Sequence, residues 1–182
     1  MEVRAATIDD AEAVADVHVR SWRAAYPGLI PQDFLDNLQA EHRLPGWRRI
    51  LDETAWPRQG VLVLVPDLSN PSATASGPDP VGFAHVCPTR DDDRDPAAVG
   101  EITSIYLLDS VWGTAGGRQL MAAALEALRA GGYETATLWA LDTNARARRF
   151  YERGGWRVDG STKEHDWGSF VCTDVRYVLP LT

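Results

Sequence analysis

Two rhythms of apolar and polar positions run along this chain. From Gln119 to Ala130 the apolar residues Leu120, Met121, Ala124, Leu125 and Leu128 recur at helical spacing, predicting a helix with one apolar face. Short apolar runs at 61–66 (VLVLVP), 81–88 (VGFAHVCP), 101–108 (EITSIYLL) and 133–141 (YETATLWAL) predict strands. A first strand is read over 2–7, and Asp9-Asp10 suits the cap and first turn of a helix over 9–25. A helical stretch follows from Pro31 to Asp52, with a break expected near Glu41-His42-Arg43. Asp67–Pro80, rich in Ser, Pro, Asn and Gly, is read as a mobile hairpin loop, and Thr89–Val99 as an acidic one. A last helix opens at Asn144 and closes at Phe150-Tyr151, and Trp156–Leu181 supplies two more strands around a polar connection. The expected fold is an α/β domain spanning residues 1–182, a mixed sheet with about four helices.

Composition narrows this only in part. A chain of 182 residues can bury a sizeable core, with neither repeats nor an interdomain linker. Its apolar stretches are too short to span a bilayer, and the start Met1-Glu2-Val3-Arg4 does not read as a signal peptide. Two cysteines, Cys87 and Cys172, make no disulfide framework, so a reducing cytoplasm is the simpler expectation. The histidines (His18, His42, His85, His165) lack ligand spacing, and no metal is expected. A formal charge of −8, from 18 basic and 26 acidic residues, disfavours nucleic acid and mildly favours a cationic small molecule.

The chemistry-bearing segment is Glu101–Tyr151. Its strand runs straight into Asp109-Ser110-Val111-Trp112-Gly113-Thr114-Ala115-Gly116-Gly117-Arg118 and then the helix. A small-residue turn at a helix N-terminus leaves backbone N–H groups unpaired at the positive end of the helix dipole, which suits a phosphate. It is not a Walker loop: Arg118 stands where lysine is needed, and the only lysine is Lys163. Nor does it spell the dinucleotide fingerprint. Downstream, Asn144-x-x-Ala147-x-x-Phe150-Tyr151 sets Asn144 and Tyr151 seven residues apart, on one helix face.

Together these motifs resemble the GCN5-related N-acetyltransferases (GNAT), an acetyl-coenzyme A-dependent superfamily. The pyrophosphate loop of that family, Gln/Arg-x-x-Gly-x-Gly/Ala, lies here over Trp112–Gly117, with Trp112 in place of Gln or Arg and Ala115 in place of Gly. Ala115 is compatible if its φ is negative. The stretch Ser21–Pro31 is similar to one joining the first two helices in a bacterial branch of the family, and coverage extends over nearly the whole chain. The resemblance implies a mostly antiparallel twisted sheet of six or seven strands, splayed between the fourth and fifth.

Acetyl-CoA would then be the cosubstrate, held by Gly113, Thr114, Ala115, Gly116, Gly117 and Arg118, by main-chain groups of Ile105, Tyr106 and Leu107, and by Asn144. Tyr151 would return a proton to the leaving thiolate, a modest gap given a thiol pKa near ~8.5 and a phenol near ~10. Glu101 stands where the family commonly carries its base. Strand alternation groups it with Thr103, Ile105 and Leu107, and Thr103 could hold an intervening water. His85 is the rival base, its reference pKa near ~6.5.

Arg146, Arg148, Arg149 and Arg153 are either a solvated face or partners for the 3′-phosphate, while Trp22, Tyr26, Phe34 and Trp47 are either core or acceptor walls. The implied activity is acetyl transfer to a primary amine of a small molecule in a ternary complex, since neither cysteine sits in the motifs. Two alternatives stand: a peptide or protein N-terminus as acceptor, and a non-catalytic acyl-CoA-binding sensor. Family members often dimerise through their last strands.

Overall fold

The computed structural model describes residues 1–66 and 79–181, so nearly all of the loop expected at Asp67–Pro80 lies outside the described residues. Seven strands form one sheet: β1 (Glu2–Ala5), β2 (Gly60–Val65), β3 (Gly82–Pro88), β4 (Val99–Leu107), β5 (Thr135–Leu141), β6 (Arg157–Asp166) and β7 (Val171–Pro180). Their order is β1-β2-β3-β4-β5-β7-β6. All neighbours are antiparallel except β4 and β5, which run parallel. That pair is joined only at Val99–Glu101 against Thr135–Thr137, and the strands diverge beyond it. The splay expected between the fourth and fifth strands is this slit.

Five helices flank the sheet among the described residues: α1 (Ala11–Ala25), α2 (Gln32–Asp36), α3 (Ala40–Asp52), α4 (Gly116–Ala130) and α5 (Ala145–Arg153). The apolar stripe of α4 packs Leu120, Met121, Ala124 and Leu128 against Leu62, Leu64, Ala84, Val86 and Ile102. On the opposite face α1 and α3 bury Val14, Val17, Trp47 and Leu51 against Val61, Val63, Val65 and Phe83. The unbroken apolar run of β2 is thereby explained, since a strand covered on both faces has no polar side to alternate. Each fully buried Leu or Val contributes about 1.5–3 kcal/mol. Gly100 lets α4 come close, because a Cβ there would stand 2.6 Å from the Leu128 side chain and 2.9 Å from Tyr133.

Several expected boundaries move, each through a contact from elsewhere in the chain. β1 ends at Ala5, since Asp10 accepts from the Thr7 N–H (2.7 Å) and pairs with Arg4 (2.8 Å), folding Ile8–Asp10 into a 3-10 turn before α1. The break in the second helical stretch falls after Asp36, not at Glu41–Arg43, which lie within α3. Arg23 of α1 causes this: its guanidinium donates to the carbonyls of Leu35, Asp36 and Leu38 and satisfies the C-terminus of α2. β5 begins at Thr135 rather than Tyr133, whose ring instead lies beneath the Arg58 guanidinium at 4.3 Å.

The acidic loop is organised by one buried cation. Arg176 of β7 is 2 % exposed and binds Asp93 (2.6 and 2.7 Å), Asp91 (3.1 Å) and Asp159 (2.8 Å). Trp139 adds an indole N–H to Asp91 at 3.1 Å. The carboxylates of this acidic loop thus tie the segment before β4 to the last two strands.

Candidate active site

A cleft of about 1040 Å³ passes through the slit, lined by residues of α1, β4, the loop 111–114, α4, β5, α5 and the β6–β7 hairpin. On the α4 side lies the small-residue loop. Gly113 has φ +76°, in the left-handed region, while Ala115 has φ −70° and carries its methyl group without strain. The Gly116 N–H donates to the Thr114 hydroxyl at 3.1 Å, and the Gln119 N–H donates to the Ala115 carbonyl. Among the described residues the amides of Gly113, Ala115, Gly117 and Arg118 find no acceptor. Those donors sit at the positive end of a 15-residue helix, a fit for a phosphate oxygen. Trp112 takes a role of its own. Its indole N–H donates to the Leu107 carbonyl at 3.1 Å, and the Arg146 guanidinium stacks on its ring at 3.3 Å.

Backbone groups of β4 line the slit selectively. The Leu108 N–H donates to the carbonyl of Val81, the residue just before β3. Antiparallel alternation then turns the peptide groups of Tyr106 toward β3, and those of Ile105 and Leu107 toward the slit. Tyr106 contributes its side chain instead, the phenol 3.5 Å from that of Tyr26.

One expectation about β4 is corrected. Glu101, Thr103, Ile105 and Leu107 do not share a face, because the β3–β4 register shifts between His85 and Val86. One extra residue flips everything after it. Ile102, Ile105 and Leu107 face α4, whereas Thr103 bonds His85 and Tyr106 packs with Phe83 on the α1 and α3 side.

Glu101 is 1 % exposed and lines the cleft. Arg90 grips it: Oε2 accepts from the Arg90 N–H (3.0 Å) and Nε (3.1 Å), and Oε1 from the guanidinium at 2.6 Å. A carboxylate offers about four acceptor sites, so one on Oε1 stays open. His85 stands off the cleft. Its Nδ1 is 2.6 Å from the Thr103 hydroxyl, and it lines a second cavity of about 250 Å³ with His18, Arg43 and Trp47. Burial and then the Arg90 charge push its pKa down to about 4. Trp47 therefore belongs to core and second cavity, and Phe34 stands behind the cleft against Trp167 and Phe170.

Helix α5 brings its pair together as the spacing predicts. Asn144 caps it, Oδ1 accepting from the Ala147 N–H at 3.1 Å, which leaves the side-chain NH2 toward the cleft. Tyr151 lines the same cleft, and burial, then Tyr106 and Tyr177, raise its phenol above the ordinary value. Arg146, Arg149 and Arg153 line the cleft, whereas Arg148 is tied to the Tyr177 hydroxyl (3.0 Å) and the Asp142 carbonyl (2.9 Å).

Local sequence gives no sign of Arg90, and for the far end of the cleft it offers Trp22 and Tyr26 but not the hairpin residues that they meet. There Trp22 and Tyr26 meet His165, Trp167, Phe170, Cys172 and Asp174 of the last hairpin. Burial raises the Cys172 thiol, which disfavours the thiolate a nucleophile requires. The cluster Trp167-x-x-Phe170 at the hairpin tip was the one available signal. No group of three or more metal-ligating side chains occurs among the described residues, nor is any helix there long and apolar enough to cross a membrane.

The sequence profile of the acetyltransferase (GNAT) family matches residues 20–156. An uncharacterized N-acetyltransferase of Bacillus subtilis, YuaI, is 29% identical over 142 residues, 78% of this chain and 72% of that protein. Among solved structures, the PaiA N-acetyltransferase of Thermoplasma acidophilum in complex with coenzyme A superposes with a TM-score of 0.69 at 18% identity, covering 98% of each chain. YncA of Salmonella typhimurium with acetyl-CoA gives a TM-score of 0.68 at 18% identity, covering 100% of this chain and 94% of that one.

Proposed function

Since this chain belongs to the GNAT acetyltransferase family, we propose that it moves the acetyl group of acetyl-CoA directly to a small-molecule primary amine. The observation that carries the reading is a single cleft running from the free amides of the loop, past Tyr151 and Glu101, to an aromatic chamber beyond the slit. Gly113, Ala115, Gly117 and Arg118 offer amides to the pyrophosphate, with Thr114 and Gly116 fixing the turn between them. Ile105 and Leu107 present peptide groups, and Asn144 its NH2, to the pantetheine arm. Arg146, Arg149 and Arg153 supply positive charge for the 3′-phosphate. Both cysteines are free thiols, in keeping with a reducing cytoplasm.

The amine must shed a proton to attack the thioester carbonyl. Glu101 takes it through a water on the open site of Oε1, while Arg90 fixes the carboxylate. Tyr151 gives its phenolic proton to the departing thiolate. With its pKa raised it stays an O–H donor across the working pH range. Glu101→Gln is expected to lower kcat/KM about 10²-fold or more with acetyl-CoA binding unmoved; a kcat/KM within about three-fold of the parent rules Glu101 out as base. Gly113→Ala is expected to weaken acetyl-CoA binding roughly ten-fold by calorimetry, because an L side chain in the left-handed region costs about 1–2 kcal/mol.

The direct test is amine-dependent release of free coenzyme A from acetyl-CoA. Release only when an amine is present establishes the transferase. Tight acetyl-CoA binding without release to any amine or peptide would instead mark an acyl-CoA sensor.

A further inference from the structure

We propose that the acceptor is a small monocationic arylalkylamine, its ring seated among Trp22, Tyr26, Trp167 and Phe170 and its ammonium received by Asp174. The proposal rests on the transferase reading and names the substrate class for that site.

The chamber on the α1 side of the slit is built from rings already in register with one another. Trp22 lies 4.9 Å from Tyr26, 6.1 Å from Trp167 and 6.3 Å from Tyr106, centroid to centroid. Trp167 and Phe170 are near parallel, at 15° and 6.3 Å. Phe34 supports both from behind at 5.4 and 5.1 Å. Even so, Trp167 remains 39% exposed, an indole at the lip of a cavity that Trp22, Tyr26 and Phe170 also line. Apolar surface held open in this way favours a guest that removes it from water, and aromatic pairs favour a planar one.

Charge then selects among planar guests. Asp174 sits within the chamber, its carboxylate 3.1 Å from His165 Nε2. Burial raises the Asp174 carboxyl against the lowering effect of His165 and Lys163, so solvent is largely kept from this anion. The Tyr26 phenol, 3.5 Å from that of Tyr106, lines the cleft together with Tyr151 and Asp174 and marks where the chamber meets the reacting end.

Lys163 stands across the β6–β7 pair from Asp174, but its ammonium lies 5.5 Å over Trp139 and makes no ion pair with that carboxylate. Arg43 approaches Trp22 from the second cavity. One anion with an aromatic surround fits one ammonium on an apolar body. A polyamine would strand its further charges against rings.

The experiment compares 2-phenylethylamine and tryptamine with propylamine and spermidine, by coenzyme A release under steady-state conditions. For the aromatic amines kcat/KM is expected to exceed that for propylamine by at least about ten-fold. Trp167→Ala should erase that ratio, and Asp174→Asn should raise KM for every amine at least about ten-fold, with the Kd of acetyl-CoA unmoved in both variants. Spermidine or propylamine turned over as well as the aromatic amines, or a ratio surviving Trp167→Ala, overturns the proposal and leaves the transferase standing. If acetyl-CoA binds but no amine is acetylated, the transferase reading falls first. Tryptophan-fluorescence titration of 2-phenylethylamine into the coenzyme A-saturated protein then decides the chamber separately: a Kd unchanged by Trp167→Ala sinks the proposal.

Discussion

Tyr151→Phe is expected to lower kcat by about 10²–10⁴-fold, the usual worth of a positioned general acid, while acetyl-CoA binds as before. The substitution removes only the hydroxyl. The ring keeps its contacts with Phe150 (5.6 Å), Trp156 (6.4 Å) and Tyr177 (5.7 Å), so the end of α5 stays anchored and folding is not the variable. Calorimetry with acetyl-CoA and single-turnover release of coenzyme A separate binding from chemistry. A loss confined to the chemical step supports the proton-donor role. A kcat within three-fold of the parent assigns the thiolate's proton to solvent. A loss of binding would make the hydroxyl part of the pantetheine site.

The second large effect falls on stability. Arg176→Met is expected to cost about 3 kcal/mol in urea unfolding, because it strips the little-exposed Asp91 carboxylate of its guanidinium partner and leaves Asp159 with Arg94 alone. Their side chains are only 8% and 14% exposed, against 61% for Asp93, whose loss alone should matter little. Arg176→Lys should recover only part, since one ammonium cannot fork to three carboxylates.

The same cluster sets an acid dependence. The hydrogen bond from Arg176 holds Asp93 down to about 2, and hydrogen bonds from Ser161 and Arg176 outweigh burial to hold Asp159 below its ordinary value. Folded pKa values below the unfolded ones mean stabilisation that is complete above about pH 4 and lost as pH falls toward about 2. Parent and Arg176→Met stabilities should therefore converge across that window. A difference that stays constant would show that packing, not charge, is what Arg176 supplies.

How far the chain could be read beforehand follows from where each determinant lies. Leu120, Met121, Ala124 and Leu128 declare α4 because a helix's own period decides which face is buried. Asn144 and Tyr151 share a face for the same local reason, and the structure brings both to the cleft. What escaped depends on partners distant in sequence. Arg23 ends α2 from another helix, and Arg176 gathers carboxylates from 17 to 85 residues away. Arg90 covers Glu101 from the loop before its strand. The bulge in β4 leaves no mark in EITSIYLL, yet it moves Ile105 and Leu107 to the face opposite Thr103. The aromatic chamber is half legible: Trp22 and Tyr26 stand one helical turn apart in the sequence, whereas Trp167, Phe170 and Asp174 acquire meaning only when the last hairpin folds back over α1.

The three-position seam between β4 and β5 has a traffic consequence. Because the strands part directly after Glu101 and Thr137, the sheet acts as a partition with one window, not as a wall. On the reading proposed above, the nucleotide would enter beside α4 and α5 and the amine beneath α1 and the hairpin, and only the acetyl group would cross. Either spent partner could then be exchanged while its counterpart stays seated, with no rearrangement of the sheet.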